Sequence, residues 1–501
     1  MATPQHPCHA LEGFFNESFA TLHGPLDRWA HQRPEAVALR NEHTALSFAQ
    51  LHQRVQLRMA EIASQNLPET VLLPTTMGVL DTLVEFLAVI ASGSCAALGD
   101  PAWPAHILTA VAASITGLPK PARVPAATVA IAPALAPCYI GFTSGSTGQP
   151  KGFRRNHLSW TESFRTSVAD FGACATGTVA APGRLSHSLF LFAAMMGLWT
   201  GAGAVVQERF SASATLASLA QGQASVLLAV PSQLLLMLDV AQRQGQAPIV
   251  ATTLILISGA RWMREQTPHL RHLFPNARLI EFYGASEASY VAWRDADGAN
   301  DSQVVGQPFS NVELRIGDLP LDTPYTTGTA GRIWVRSPML FMDYVHTQDP
   351  TAAMRHDGWL SVRDMGWLDA QGQLYLCGRE NRMLVTQGKN VFPEEVESCL
   401  LTQAEVEYAS VLGLPDRLRG HRIHAVVQLK EGAPRFAKAA LVSLCRRTLE
   451  PYKTPRQWWL WQGPWPLTRN GKTDHARIAQ ILTSLVWDNG PKTDEGITPW
   501  R

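Results

Sequence analysis

The chain has 501 residues, 46% of them hydrophobic and 17% charged, with a formal net charge of +1. That length exceeds one ordinary core, so two or more domains are expected, and the near-neutral balance excludes a global electrostatic attraction to nucleic acid or to a membrane surface. The seven cysteines (Cys8, Cys95, Cys138, Cys174, Cys377, Cys399 and Cys445) form no CxxC pair and no His/Cys cluster at zinc spacing, which fits a reduced, cytoplasmic protein.

Met1 to Ala10 lacks the basic and apolar regions of a secretory signal, and no uninterrupted apolar run of about 18 residues follows, so neither secretion nor a membrane span is predicted. Leu46-Ser47-Phe48-Ala49-Gln50-Leu51 leads into a helical pattern carrying Val55, Leu57, Met59 and Ile62, with Ser47 as the expected N-cap. Val71 to Leu98 reads as one α/β unit with a helix from Leu80 to Ile90, ending at Asp100-Pro101. Residues 116 to 137, rich in Pro and Ala, form a connecting segment.

An apolar strand-like run, Cys138 to Phe142, then enters Thr143-Ser144-Gly145-Ser146-Thr147-Gly148-Gln149-Pro150-Lys151-Gly152, and a helix is predicted from Asn156 to Phe171. Glycines let backbone N–H groups turn toward an anion, hydroxyls add rotatable donors, and Lys151 supplies a compact positive charge. The segment is neither a Walker loop, because Gln149 and Pro150 separate Gly148 from Lys151, nor a Gly-x-Gly-x-x-Gly fingerprint.

Beyond it, strand-like and helical runs alternate from Thr178 to Tyr283, as in a mostly parallel sheet covered by helices. From about Gly306 the pattern changes to short strands, which predicts a small β-rich subdomain over about 306–380. A separate α+β pattern follows, so a domain boundary is placed near Asn381, and the polar tail from Trp487 to Arg501 is expected to fray.

Glu281-Phe282-Tyr283-Gly284-Ala285-Ser286-Glu287 offers, within a few residues, a ring face for a base, a close backbone approach, a phosphate donor and a hard oxygen ligand for Mg²⁺. Gly284-Ala285-Ser286-Glu287-Ala288 also comes within one residue of a nucleophile elbow, so an esterase-type hydrolase is carried as an alternative. Asp357 to Gly366 contains Asp364, whose two acceptor oxygens suit a vicinal diol. Gly378-Arg379-Glu380-Asn381, the stretch from Val385 to Glu397 with Gly388, and Pro466-Leu467-Thr468-Arg469-Asn470-Gly471-Lys472 complete the set.

In this order the segments resemble the motifs of the adenylate-forming superfamily, which contains acyl- and aryl-CoA synthetases, nonribosomal peptide adenylation domains and luciferases. The resemblance spans residues 24 to 485. It departs from the family pattern at Val362-Arg363, where Thr-Gly is usual and a different loop backbone is therefore expected, and at Asn381, where Asp or Lys is usual.

The resemblance implies an α/β fold: a large N-terminal domain (1–380) of layered α/β sheets with the β-rich subdomain, and a small mobile α+β C-terminal domain (381–501). It further implies ATP contacts at Thr143, Ser144, Gly145, Ser146, Thr147, Gly148, Lys151, Gly259, Ala260, Glu281, Phe282, Tyr283, Gly284, Ala285, Ser286, Asp364, Arg379 and Lys472. Glu287 would hold Mg²⁺, with Lys472, Glu287 and Ser286 catalytic. His187, Gly284 and Ala285 would border the acid, Asn381 would be the hinge, and Gly388 would border the thiol tunnel.

The implied reaction is ATP-dependent activation of a carboxylic acid to an acyl adenylate, then transfer to a phosphopantetheine thiol. The acceptor is CoA or a separate acyl or peptidyl carrier protein. Amino-acid-activating members carry Phe-Asp-x-Ser where this chain has Ser186-His187-Ser188-Leu189-Phe190. The missing aspartate points to an acid without an α-amine, since a buried ammonium without a partner is unfavourable.

Overall fold

Short aliphatic runs such as Leu254–Ile257 and Val226–Ala229 are apolar at every position, the pattern of strands buried on both faces. In the computed structural model, which describes residues 14, 17–65, 67–116, 132–144, 150–296, 303–319, 321, 325–345, 353–386, 389–416, 419–433, 438–468, 471–487 and 496–500, they lie at the centre of a 15-stranded sheet. Arg278–Ala285, Leu254–Ile257, Val226–Ala229, Val179–Ala181 and Ala204–Val206 pair in parallel in that spatial order. Successive side chains serve opposite faces. Leu228, Leu254, Leu256 and Ile280 enter one core with the helix Ser188–Thr200, whereas Leu227, Ile255, Ile257 and Leu279 enter another with the helices Ala212–Ala220 and Pro231–Gln244.

The β-rich region begins at Val304 and remains laddered to the central sheet through Ser289–Asp295, with Ala292 opposite Pro308 and Trp293 opposite Gln307. A second sheet of five strands carries Thr70–Leu73, Cys95–Leu98 and Pro137–Ser144, joined by Pro150–Asn156 and an edge strand, Asp343–Val345. Pro150–Asn156 pairs antiparallel with Pro137–Ser144, with Thr143 opposite Lys151, and leads into the predicted helix at His157.

A third sheet begins at Leu384 and is closed on one side by the helices Pro393–Leu400 and Lys438–Thr448 around Val396, Val411, Ala425 and Leu441. Ser47 caps its helix as expected, in a capping box: Ser47 Oγ accepts from Gln50 N at 3.3 Å while Gln50 Oε1 accepts from Ser47 N at 2.9 Å. Among the described residues no helix is long and apolar enough to cross a membrane.

The end of the chain departs from expectation. Ile497–Pro499 pairs antiparallel with Gln457–Trp461, and Trp500 donates its N–H to Trp458 O at 2.9 Å while its ring packs on the C-terminal core. Two apolar anchors, Ile497 and Trp500, outweigh the polar average of the tail. Deleting residues 497–501 should therefore remove about 2–3 kcal/mol of apolar burial from this domain, a loss visible as a lower midpoint in thermal unfolding.

Candidate active site

The loops that follow neighbouring parallel strands bring the expected contacts to one end of the sheet, the usual ligand edge of an open α/β sheet. Gly259 and Ala260, both exposed, follow Leu254–Ile257, and Tyr283 to Ala285 end the adjacent strand. Gly259 has φ +86, a conformation that favours glycine. At Gly284 a Cβ would stand 2.1 Å from Ser289 O, so the turn into the next strand excludes any side chain there. Ser289 closes that turn in the left-handed region, with φ 59.

The turn presents Ser286 and Glu287, both half-buried. Beneath it lies Arg155, 2% exposed, which donates to Ser286 O at 3.1 and 2.6 Å and to Met339 O at 3.0 Å. Burial pushes the Arg155 pKa down to about 10, and the Glu287 charge opposes that shift. The backbone of Glu287 is tied through its carbonyl to Phe341 N at 2.8 Å, and its Oε1 accepts from Tyr344 Oη at 2.7 Å. Lys151 Nζ sits 4.3 Å from the centroid of the same tyrosine ring, and Thr143 Oγ1 donates to Lys151 O at 3.4 Å.

Gly145, Ser146, Thr147, Gly148 and the side chain of Ser144 lie outside the described residues, as does Gly388. Neither Arg155 nor Tyr344 was singled out by sequence reasoning. The signal for Arg155 was available: two adjacent arginines, Arg154-Arg155, interrupt a buried strand, and arginine is rarely buried without partners.

A second cluster surrounds Asp364, 5% exposed. Tyr283 Oη donates to Asp364 Oδ2 at 2.5 Å, and Arg379 Nε stands 3.3 Å from Asp364 Oδ1. That Oδ1 is buried and accepts no hydrogen bond from the described residues, so it fits the role of acceptor for a ribose hydroxyl. Burial raises the Asp364 pKa, and the Arg379 charge and the Tyr283 bond pull it back.

From the C-terminal side comes Lys472, on a turn in which Lys472 N donates to Thr468 Oγ1 at 3.2 Å and Thr468 N to Lys472 O at 2.7 Å. Lys472 is solvent-exposed as a residue, and the protein around its ammonium first and the Arg379 charge second shift it below the ordinary lysine value, with Asp364 opposing. Residues 108 positions apart thus share one electrostatic neighbourhood.

At the Val362-Arg363 exchange the backbone takes a left-handed residue. Arg363 adopts φ 64, the left-handed conformation that glycine takes without strain, at a cost of about 1 kcal/mol. Its guanidinium compensates through Glu380 Oε2 at 3.1 Å.

Two of the expected nucleotide contacts turn inward instead. The carboxylate of Glu281 accepts from Trp262 N at 2.9 Å, Arg264 Nη2 at 2.5 Å and Arg294 Nε at 3.1 Å, which makes it a pin for the strand. Phe282, 7% exposed, packs edge-on against Tyr290 at 4.9 Å in the core. Alternation along the strand decides this: with Tyr283 turned toward Asp364, Phe282 faces the opposite side.

His187 stands at the start of the helix Ser188–Thr200, half-buried, its pKa lowered by burial so that the ring is neutral near pH 7. Asp100 and Arg184 lie beside it, paired to each other at 3.1 Å. Asn381 is exposed between two anchored neighbours. Glu380 is held by Arg332 at 2.5 Å and by Arg363, whereas Arg382 is held by Glu394 at 3.0 Å and Glu397 at 2.6 Å.

A layered α/β body followed by a smaller α+β unit, with Lys472 of the latter in the electrostatic neighbourhood of Asp364 and Arg379, is the arrangement of the adenylate-forming class. Residues 99–345 match the AMP-binding enzyme family and residues 395–472 match the AMP-binding enzyme C-terminal domain. The chain is 37% identical over 351 residues to the uncharacterized acyl-CoA ligase YhfT of Bacillus subtilis, covering 70% of each protein. It is 28% identical over 392 residues to the 2-succinylbenzoate–CoA ligase of Arabidopsis thaliana, covering 69% of each.

Among solved structures, the AMP complex of the O-succinylbenzoate CoA synthetase MenE from Bacillus subtilis superposes with a TM-score of 0.75 at 21% identity, covering 90% of this chain and 97% of that one. ATP-bound MatB from Rhodopseudomonas palustris superposes with a TM-score of 0.77 at 20% identity, covering 93% and 99%. The chain belongs to the AMP-binding enzyme family of the adenylate-forming superfamily and is an AMP-forming acid–thiol ligase.

Two outcomes test this geometry. Glu281→Gln should destabilise the fold by about 3 kcal/mol, because it strips charge from a buried ion cluster, while leaving the KM for ATP unchanged in assays well below the melting temperature. If Lys472 is the cation that the resemblance implies for adenylation, the alkaline limb of a pyrophosphate-exchange pH profile should lie below the ordinary lysine value of about 10.4. Arg379→Gln, which removes a charge that lowers this pKa, should move the limb to higher pH.

Proposed function

We propose that the chain activates a carboxylic acid lacking an α-amine as its acyl adenylate and then transfers the acyl group to the phosphopantetheine thiol of CoA. The observation that supports this best is the meeting of Lys472 with Arg379 and Asp364, the latter two also within electrostatic reach of Glu287. In the first half-reaction the substrate carboxylate attacks the α-phosphorus of ATP, the bond to the bridging oxygen breaks and pyrophosphate leaves. Both reactants are anions, so catalysis consists chiefly of alignment and charge neutralisation.

Asp364 Oδ1 accepts from the ribose, the 143–152 loop with Lys151 grips the β- and γ-phosphates, Ser286 adds a hydroxyl donor, and Lys472 bridges substrate carboxylate and α-phosphate. Among the described residues no group of three or more His, Cys, Asp or Glu side chains could hold a metal. That fits Mg²⁺, which takes one or two carboxylates and completes its shell with phosphates and water. Glu287 would hold it, and the ion would supply charge neutralisation at the phosphates.

The 381–501 domain then turns about Asn381, withdraws Lys472 and brings Gly388 to the cleft. The thiol attacks the acyl carbonyl, AMP leaves, and the thiol proton passes to solvent. Placing the pivot at Asn381 follows from its flanks, since Glu380 is gripped by the large domain and Arg382 by the small one.

The missing α-amine partner is reinforced by Asp100. It is the acidic group beside His187, and Arg184 already neutralises it. Phe192, Met195, Met196 and Trp199 belong to the core rather than to an acyl pocket, with Phe192 packed at 5.7 Å on Trp160 and 5.0 Å on Phe164. CoA is favoured over a carrier protein because the relatives YhfT and 2-succinylbenzoate–CoA ligase are named as CoA ligases. A stand-alone enzyme loading a carrier protein is the second reading, and thioester formation on free CoA against a pantetheinylated carrier separates the two. The esterase reading has less support, since the described hydrogen-bond partners of the Ser286–Glu287 turn are Arg155 and Tyr344 rather than a histidine.

Lys472→Ala should lower pyrophosphate exchange by roughly 100-fold or more yet still convert supplied acyl adenylate to thioester. Asn381→Pro, which locks φ at the pivot, should do the reverse: exchange persists and thioester formation is lost. Equal loss of both steps in either variant would refute the division of labour.

A further inference from the structure

The hairpin that carries the phosphate loop has a third strand. Asp343–Val345 adds antiparallel to Pro150–Asn156, with Tyr344 opposite Phe153 and Val345 opposite Gly152. Arg154, 6% exposed, clamps Asp343 through both its carboxylate oxygens at 2.9 and 2.5 Å. Tyr344 is thereby fixed at the foot of the loop. Its hydroxyl donates to Glu287 Oε1 at 2.7 Å and accepts from Ala353 N at 3.2 Å, Phe341 meets its ring at 4.8 Å and 66°, and its face carries Lys151 Nζ at 4.3 Å.

Opposite charges therefore stand on two parts of one phenol. If Lys151 paired with Glu287, the ammonium would be lost to phosphate and the carboxylate to a divalent cation. We propose that Tyr344 is a positioning residue that keeps these two charges apart. Its hydroxyl fixes Glu287 through Oε1 and leaves Oε2 to face a cation, while its ring holds Lys151 on the loop side by cation–π attraction. The inference rests on reading Lys151 and Glu287 as the phosphate and metal residues.

The test uses the full chain with ATP binding followed by calorimetry, with Mg²⁺ varied and with EDTA present, and with unliganded thermal unfolding as control. Tyr344→Phe keeps the ring and removes the donor. It should raise the Mg²⁺ concentration for half-maximal ATP binding by about tenfold, the effect of losing one hydrogen bond to a charged group, and leave metal-free ATP affinity within about twofold. Tyr344→Leu removes the spacer as well, lets Lys151 fall onto Glu287, and should weaken metal-free ATP binding by about tenfold.

Adding Glu287→Gln to Tyr344→Leu should restore that metal-free affinity, because the ammonium is released again. A merely structural tyrosine would not produce this rescue. An unchanged Mg²⁺ dependence in Tyr344→Phe, or no rescue in the double variant, overturns the inference, and if Tyr344→Leu unfolds, the phenylalanine variant decides alone. If the unsubstituted chain bound ATP without any Mg²⁺ dependence, the assignment of Glu287 to the metal would fail instead.

Discussion

A buried carboxylate cannot stand alone in protein, and Asp364 is the group on which the site depends. Tyr283 reaches it from the end of the central parallel sheet, Arg379 from the neighbouring antiparallel strand, and Lys472 from the other domain. Burial favours the neutral acid and the surrounding donors and cations oppose it, so the geometry around Asp364 is held by the requirement that its charge be compensated. Oδ1, buried beside Arg379, keeps unused acceptor capacity among the described residues.

The second constraint is the charge pairing around Asn381. Ion clusters on either side of Asn381 attach Glu380 to Arg332 and Arg363 and attach Arg382 to Glu394 and Glu397. Asn381 is thereby an exposed residue between two anchored ones, whose rotation would break partly buried ion pairs. Arg363 belongs to this arrangement. It accepts a strained left-handed backbone and uses its guanidinium to brace Glu380, so a departure from the glycine expected there ties the loop to the ion pairs before Asn381.

A third layer is support by buried arginines. Arg155 spans the two sheets by holding the Ser286 carbonyl and Met339 O, and Arg154 fixes the edge strand that carries Tyr344. Guanidinium groups suit this task because several donors leave one rigid plane. The half-buried Ser286–Glu287 turn and the strand carrying Tyr344 are thus placed by guanidinium groups buried beneath them.

Local patterns in the sequence singled out Glu287, Asp364 and Lys472, and the structure brings Lys472 into the electrostatic neighbourhood of Asp364, whereas Gly145 to Gln149 of the glycine-rich stretch lie outside the described residues. Fold class was legible because period and apolar runs are local properties, and Ser47 named its own helix start. What the chain order could not decide was which face a strand residue takes and which distant segments meet. Phe282 shares a motif with Tyr283 but alternates to the opposite face, Glu281 is taken up by Arg264, Arg294 and Trp262 N, Ile497 and Trp500 find a sheet edge that their polar neighbours concealed, and Tyr344 meets Glu287 and Lys151 only when a three-residue strand docks beside Pro150–Asn156. Those outcomes depend on long-range pairing and burial, which are set by the packed structure rather than by any window of sequence.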